Sequence, residues 1–317
     1  MLRFAFVLAL SLLAQAASGQ DLPKTITIIV PFAPGASSDA MGRLLAAELG
    51  ARTGANVIVE NKPGAGGAIG VSAVTRAARD GSTFGLSAPS VLVVAPFVPK
   101  PSTPELLPSL APVAKVADVA LVLVANAQSG IRTVKDLVDK SKSNPHGLSY
   151  GSPGAYSLQR LAADALAKAT GAKLVHIVYR GSAPAVTDLL AGNIPLASVD
   201  LTSALPHIKA GTLVAIGLTS PTRSQIAPDI PLLSEVVPQY QPVSAWFGFF
   251  GPRGTPSPIV TRMSKELQAV LATQSSKDKL LTVALEPSYQ DTEAFAQFLA
   301  KETARWKEAV KEPPAQQ

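Results

Sequence analysis

A strand–loop–helix unit recurs in two separate stretches of the chain, and this constrains the fold more than any other feature. The first set opens with Thr25-Ile26-Thr27-Ile28-Ile29-Val30, a β-branched run that reads as a buried strand. A loop over 31–38 leads into a helix with Met41, Leu44, Leu45 and Leu49 at helical spacing and Gly50 near its end. A second strand over 56–60, a Gly-rich loop over 63–67, a helix to about Arg79 and a third strand over 82–88 complete a β-α-β-α-β set. The second set has strands at 147–151, 173–179, 194–199 and 213–219. Its helices, at 157–170, 184–191 and 203–210, are closed by Gly171, Gly192 and Gly211. Such alternation predicts parallel strands covered by helices. Two separated sets predict two α/β domains, each a mostly parallel sheet flanked by helices.

Two further apolar segments lie outside these sets, Val116 to Asn126 and Ser244 to Phe250. Both read as strands crossing between the domains, which makes the first domain discontinuous. The expected division is 20–122 with 246–317 for domain 1 and 123–245 for domain 2. Two crossings would let the domains rotate about a hinge. The tail returns as two helices, one carrying Val260, Met263, Leu267, Val270 and Leu271, the other starting near Thr292 and carrying Phe295, Phe298, Leu299, Trp306 and Val310. Both stripes read as core.

The chain starts with Arg3, an apolar run from Phe4 to Leu13 and then small residues. That is the layout of a signal peptide, expected over 1–19, with cleavage after Ala16 or Gly19, and it predicts a periplasmic protein. There is no cysteine, which removes thiol catalysis, thiolate metal sites, disulfides and a cysteine-linked lipid anchor. Hydrophobic residues make up 47% and charged residues 16%, which excludes disorder. The formal net charge of +6 comes from scattered Lys and Arg with no basic run, so no nucleic-acid partner is expected. A mild positive field favours anion capture.

The loops after the first strand of each set are the candidate site. Pro31-Phe32-Ala33-Pro34-Gly35-Ala36-Ser37-Ser38-Asp39 and Ser152-Pro153-Gly154-Ala155-Tyr156-Ser157 each leave the carboxyl end of a strand and enter a helix. The first helical turn presents unpaired N–H groups and partial positive charge, and small residues let a ligand approach that backbone. Ligands of open α/β sheets bind outside the carboxyl ends of the strands. Each loop alone also reads as an ordinary capped turn; the pairing of near-matching loops favours an anion gripped from both sides. Other chemistries find no support. Gly64-Ala65-Gly66-Gly67-Ala68-Ile69 has Ile where a dinucleotide fingerprint needs Gly, and no P-loop or Gly-x-Ser-x-Gly elbow is present. His146, His176 and His207 show no metal-ligand spacing. No cofactor, metal or catalytic residue is expected, and the chain reads as a binding protein and not an enzyme.

These segments resemble a known family. Lys24 to Asp39, Val59 to Gly70, Tyr150 to Gly154, Tyr179-Arg180-Gly181-Ser182-Ala183-Pro184-Ala185 with Asp188 to Gly192, and Trp246-Phe247-Gly248 with Gly254-Thr255-Pro256 are similar to the substrate-binding proteins of tripartite tricarboxylate transporters, the Bug proteins. The resemblance implies a periplasmic two-domain receptor, monomeric, closing on a small organic carboxylate. It also implies a membrane partner, either transporter subunits or a sensor kinase. It implies that the two loops hold the ligand carboxylate largely through backbone and water, and that Asp200 lies at the cleft, although a helix N-cap explains Asp200 equally well. Ser87, at the end of the third strand, and Tyr179 complete the candidate ligand-binding set. Three positions depart from the family pattern. Ala36 and Tyr156 stand where it has Gly, and Arg160 stands where it has His.

Overall fold

A computed structural model describes residues 21–35, 37–98 and 103–310. The expected signal peptide and the site candidate Ala36 lie outside them. In chain order the elements are β1 (Thr25–Val30), α1 (Ser37–Thr53), β2 (Asn56–Asn61), α2 (Ala68–Thr75), β3 (Thr83–Ser87), β4 (Leu110–Val119) and β5 (Leu121–Asn126). There follow α3 (Val134–Ser143), β6 (Leu148–Ser152), α4 (Leu158–Thr170), β7 (Leu174–Val178), α5 (Ser182–Leu190), β8 (Leu196–Asp200), α6 (Leu201–Lys209) and β9 (Leu213–Leu218). After a short α7 (Leu233–Val236) come β10 (Ala245–Pro252), α8 (Ser257–Ala272), α9 (Gln274–Thr282), β11 (Leu285–Gln290) and α10 (Thr292–Ala309).

The strands form two sheets, ordered β11-β4-β10-β3-β1-β2 and β7-β6-β8-β5-β9. Both are mixed and not mostly parallel. β1 is parallel to β2 and β3, and β6 is parallel to β7 and β8, as the alternation with helices demands. The remaining pairs are antiparallel, because strands arriving from the other sheet re-enter from the opposite end. β1 reads T-I-T-I-I-V and has Ile26, Ile28 and Val30 fully buried; with helices on both faces, a near-continuous apolar run is what such a strand needs.

The chain changes sheets at Ala120, between β4 and β5, inside the segment expected to cross. The second crossing lies upstream of its expected place. β10 pairs with β4 from Ala245 opposite Val119 to Pro252 opposite Leu110, so its whole length belongs to the first sheet. The crossing is the segment before it, tied to the first crossing by one backbone bond, Thr219 N–H to Leu121 O at 3.1 Å, and closed on itself by Val243 N–H to Thr219 O at 2.8 Å. The Thr219 hydroxyl also donates to Val243 O at 2.7 Å.

α10 braces this crossing. Trp246 lies edge-on to Phe295 and Phe298, pairs each contributing about 0.5–1.5 kcal/mol beyond area burial. The indoles of Trp246 and Trp306 both donate to the buried Glu302 carboxylate, at 3.5 and 3.1 Å, and Arg305 donates to Pro242 O. The first core continues over the junction. Leu158 and Ala162 on α4 are buried members of the cluster that contains Trp246 and Phe295, and Leu161 packs against it. The start of α4 therefore stands at the boundary between the sheets.

Candidate ligand site

The first loop leaves β1 and enters α1, and its geometry is set by one carboxylate. Asp39 accepts from the Gly35 amide at 3.0 Å, from Arg43 Nε at 2.9 Å and from Asn61 Nδ2 at 3.0 Å. Asn61 Nδ2 also donates to Phe32 O at 3.1 Å, so the end of β2 holds the loop from its other side. Burial pushes the Asp39 carboxyl up, but the bonds from Arg43, the Gly35 amide and Asn61 outweigh it and hold the group below the usual carboxylate range. What Asp39 does in this structure is pin the loop. Gly35 has φ +84°, a left-handed conformation that a side chain would strain, while space around it is open. Ala33, Pro34 and Gly35 are exposed, Phe32 and Ser37 half-buried.

Two hydroxyls at this edge are buried without a partner. Ser38, in the first turn of α1, is 2% exposed, and Ser87, the last residue of β3, is 3% exposed; neither Oγ makes a hydrogen bond. A buried hydroxyl without a partner carries a desolvation cost of about 1–3 kcal/mol, so each is a donor awaiting an acceptor. Ser38 lies in the first turn of the 17-residue α1, and Ser87 ends β3, the parallel neighbour of the strand β1 that leads into α1.

The second loop differs in kind. Ser152 is fully buried, and its Oγ lies 2.6 Å from His176 Nε2, 3.2 Å from Gly154 O and 3.2 Å from Ser157 Oγ. Ser157 donates to Gly154 O at 2.9 Å and caps α4 by accepting from the Arg160 amide at 3.2 Å. Arg160 reaches back over the loop, its Nη1 donating to Ala155 O at 2.7 Å and its Nε to Asp164 at 3.3 Å. Tyr150 donates to the other oxygen of Asp164 at 2.8 Å. Burial, and then the nearby Arg160 charge, push the His176 imidazole down to about 4, so it is neutral at pH 7. Pro153, Gly154 and Ala155 are half-buried, and Tyr156 is 40% exposed.

Asp200 occupies the N-cap position of α6 but makes no capping bond from its side chain. Its oxygens instead accept from Gln159 Nε2 at 2.6 Å and Ser182 Oγ at 3.1 Å, which ties the starts of α4, α5 and α6 together. Burial raises its carboxyl above the usual range, with the Gln159 and Ser182 bonds opposing. At the start of α6, Thr202 bonds across to Val283 O at 3.3 Å, beyond α9. Tyr179 donates to Asp188 at 2.8 Å, anchoring the loop between β7 and α5.

Two surface depressions lie away from the loops. One of about 450 Å³ is lined by Asp21, Arg79, Asp80, Pro256 and Ile259; one of about 360 Å³ lies at the amino ends of β6 and β7. His176, Gln159 and Arg160 are functional-site neighbours that the sequence pattern did not single out as loop supports. The spacing between strand positions was the available signal for His176: it pairs in register with Tyr150, two residues before Ser152.

Comparison with known proteins decides what this edge belongs to. The model of the tripartite tricarboxylate transporter family receptor matches residues 41–313. The chain belongs to that receptor family. Its relatives include the protein BugT of Bordetella pertussis, 33% identical over 294 residues, covering 92% of this chain and 90% of BugT. The solved periplasmic binding protein BugD is 31% identical, with a TM-score of 0.78 over 90% of this chain and 96% of BugD. A protein of R. palustris solved with adipate is 28% identical, with a TM-score of 0.81 over 90% of this chain and 96% of that one.

Membership in a receptor family gives the Ser152–His176 contact its meaning. A Ser–His pair at 2.6 Å suggests a nucleophile and its base. Here the serine is fully buried, and the carboxylate of Asp164 is engaged by Tyr150 and Arg160. The pair holds the loop of a binding protein, not an enzyme.

Proposed function

We propose that this chain is a periplasmic receptor, exported by the segment 1–19. It captures one small organic carboxylate between its two loops and hands it to the membrane subunits of a tripartite tricarboxylate-type transporter. The observation that carries the reading is the pair of buried, unpartnered hydroxyls, Ser38 and Ser87, beside the amino end of α1. Hydroxyl and amide donors on a helix terminus suit an anion. Helix termini contribute about 0.3–1 kcal/mol each, up to about 2 when partly buried, against about 8 kcal/mol for a micromolar complex. The hydroxyl bonds and burial of the ligand body supply the rest. The proposed ligand contacts are Phe32 to Ser38 on one side and Ser152 to Ser157 on the other. Ser87, Tyr179 and Asp200 border them, and Asp39 supports the first loop. The adipate-bound relative supports a carboxylate ligand.

The proposed division into domains is 20–122 with 246–317, and 123–245, hinged at the crossings beside Ala120 and Thr219, in a monomer. Native mass spectrometry of the protein purified from its source should reveal one retained acid per chain. Scattering before and after adding that acid should give a smaller radius of gyration in its presence. A retained solute without a carboxylate, or turnover of the acid on prolonged incubation, would overturn the proposal.

A further inference from the structure

Hydrocarbon is left bare beside both loops. Among the described residues six large apolar side chains are exposed; of these, Tyr156 belongs to the second loop, Ile177 and Val178 sit opposite Gly151 and Ser152 on alternate faces of β7, and Ile69 lies on α2 against Gly64. Three of the six thus belong to the second loop or to the strand beside it, a local grouping of exposed apolar groups. Tyr156, 40% exposed, belongs to the second loop itself. Val178, 56% exposed, pairs in register with Ser152 and ends the edge strand β7. On the first side Ile69, 52% exposed, closes over Gly64, and Gly67 of the same turn faces the Phe32 ring.

Charge is arranged the other way. Arg43 is bonded to Asp39 and Asn61, and Arg160 to Ala155 O and Asp164, so the two arginines nearest the loops are held as loop supports. Arg180, exposed after β7, is the nearby cation with no ion pair among the described contacts. A compact polyanion would set its second carboxylate against hydrocarbon, whereas an apolar body would cover it.

We propose that the ligand is a monocarboxylate with an apolar body, aryl or alkyl, whose body lies against Tyr156, Val178 and Ile69 while its carboxylate meets the Ser38 side. This rests on the carboxylate-receptor reading above and names its substrate class. Covering about 60 Å² of apolar surface corresponds to about tenfold in affinity.

Calorimetric titration of the mature chain with benzoate, hexanoate, adipate and malate tests it. Hexanoate and adipate are the same length and differ in one end. Benzoate and hexanoate should bind at least about tenfold more tightly than adipate and malate. Tyr156→Gly with Val178→Ser should weaken the first two about tenfold, and malate by a smaller factor. Both side chains are exposed, so unchanged melting will certify the fold. Adipate or malate binding more tightly than hexanoate, or adipate losing its affinity with Arg180→Gln, overturns the apolar class and leaves the carboxylate receptor standing. Unchanged benzoate and hexanoate binding in the double variant also overturns it, and assigns the bare hydrocarbon to a contact with the membrane partner. If none of the four acids binds, the carboxylate reading falls and this inference with it.

Discussion

The two loops share a sequence pattern, yet their hydrogen bonding is opposite. In the second, both serine hydroxyls are engaged internally: Ser152 with His176 and Gly154 O, Ser157 with Gly154 O and the Arg160 amide. In the first, Ser38 is buried and unengaged, as is Ser87 at the end of the neighbouring β3, and the loop is held by Asp39. The similarity of sequence conceals a division of labour. One loop is braced by its own hydrogen bonds, and the other lies beside free donors.

The comparison breaks most sharply on serine. Ser38→Ala should lower carboxylate affinity by about tenfold to a hundredfold, the range for a hydrogen bond to a charged group, while stability stays level or rises, because an unpartnered hydroxyl has gone. Ser152→Ala should do the reverse, destabilising by about 1–2 kcal/mol through the lost His176 partner, with affinity changed by less than about threefold. Titration calorimetry and urea melts on both variants decide it; equal behaviour of the two serines would erase the distinction. The next effect in size concerns the pin. Asp39→Ala leaves the Gly35 amide and Arg43 without their acceptor, and should cost about 1–2 kcal/mol in urea melts and weaken binding as the first loop loosens. A variant with wild-type stability and affinity would remove Asp39 from the account.

These contrasts were not equally legible in the sequence. β1, β2, β3 and the strands β6 to β9 stand where their β-branched runs and closing glycines put them, because periodicity and turn chemistry are local. The loops were legible too, since each follows a strand and precedes a helix. The role of Asp39 was not, because Asn61 comes from a neighbouring strand 22 residues away. The Ser152–His176 contact joins strands through register, and Gln159 meets Asp200 across 41 residues. β10 read as a crossing because its apolar run signals burial without saying in which sheet. β11, with Glu286, Pro287 and Gln290, carries little strand signal and forms by pairing with β4.

A separate effect is on pH. His176 stays neutral in the fold down to about 4, while the unfolded imidazole takes up a proton below its ordinary value of 6.5. The unfolded state therefore binds more protons between those two values, and stability should fall as pH drops from about 6.5 to about 4. His176→Asn should flatten that part of the curve in urea melts at stepped pH. An unaltered slope would mean that the bracing of the second loop owes nothing to its histidine.

The shared carboxylate of Glu302 has a consequence for watching this molecule work. The chain has only two tryptophans, and both point their indole N–H at that one group, beside the segment where the chain returns to the first sheet. Neither indole belongs to the candidate ligand edge. Intrinsic fluorescence therefore reads the strain and solvation of the joint, not the colour or chemistry of whatever is captured. A shift in emission on adding a transparent solute is a signal from the joint itself, and replacing one indole at a time by Phe separates the β10 side of the joint from the α10 side.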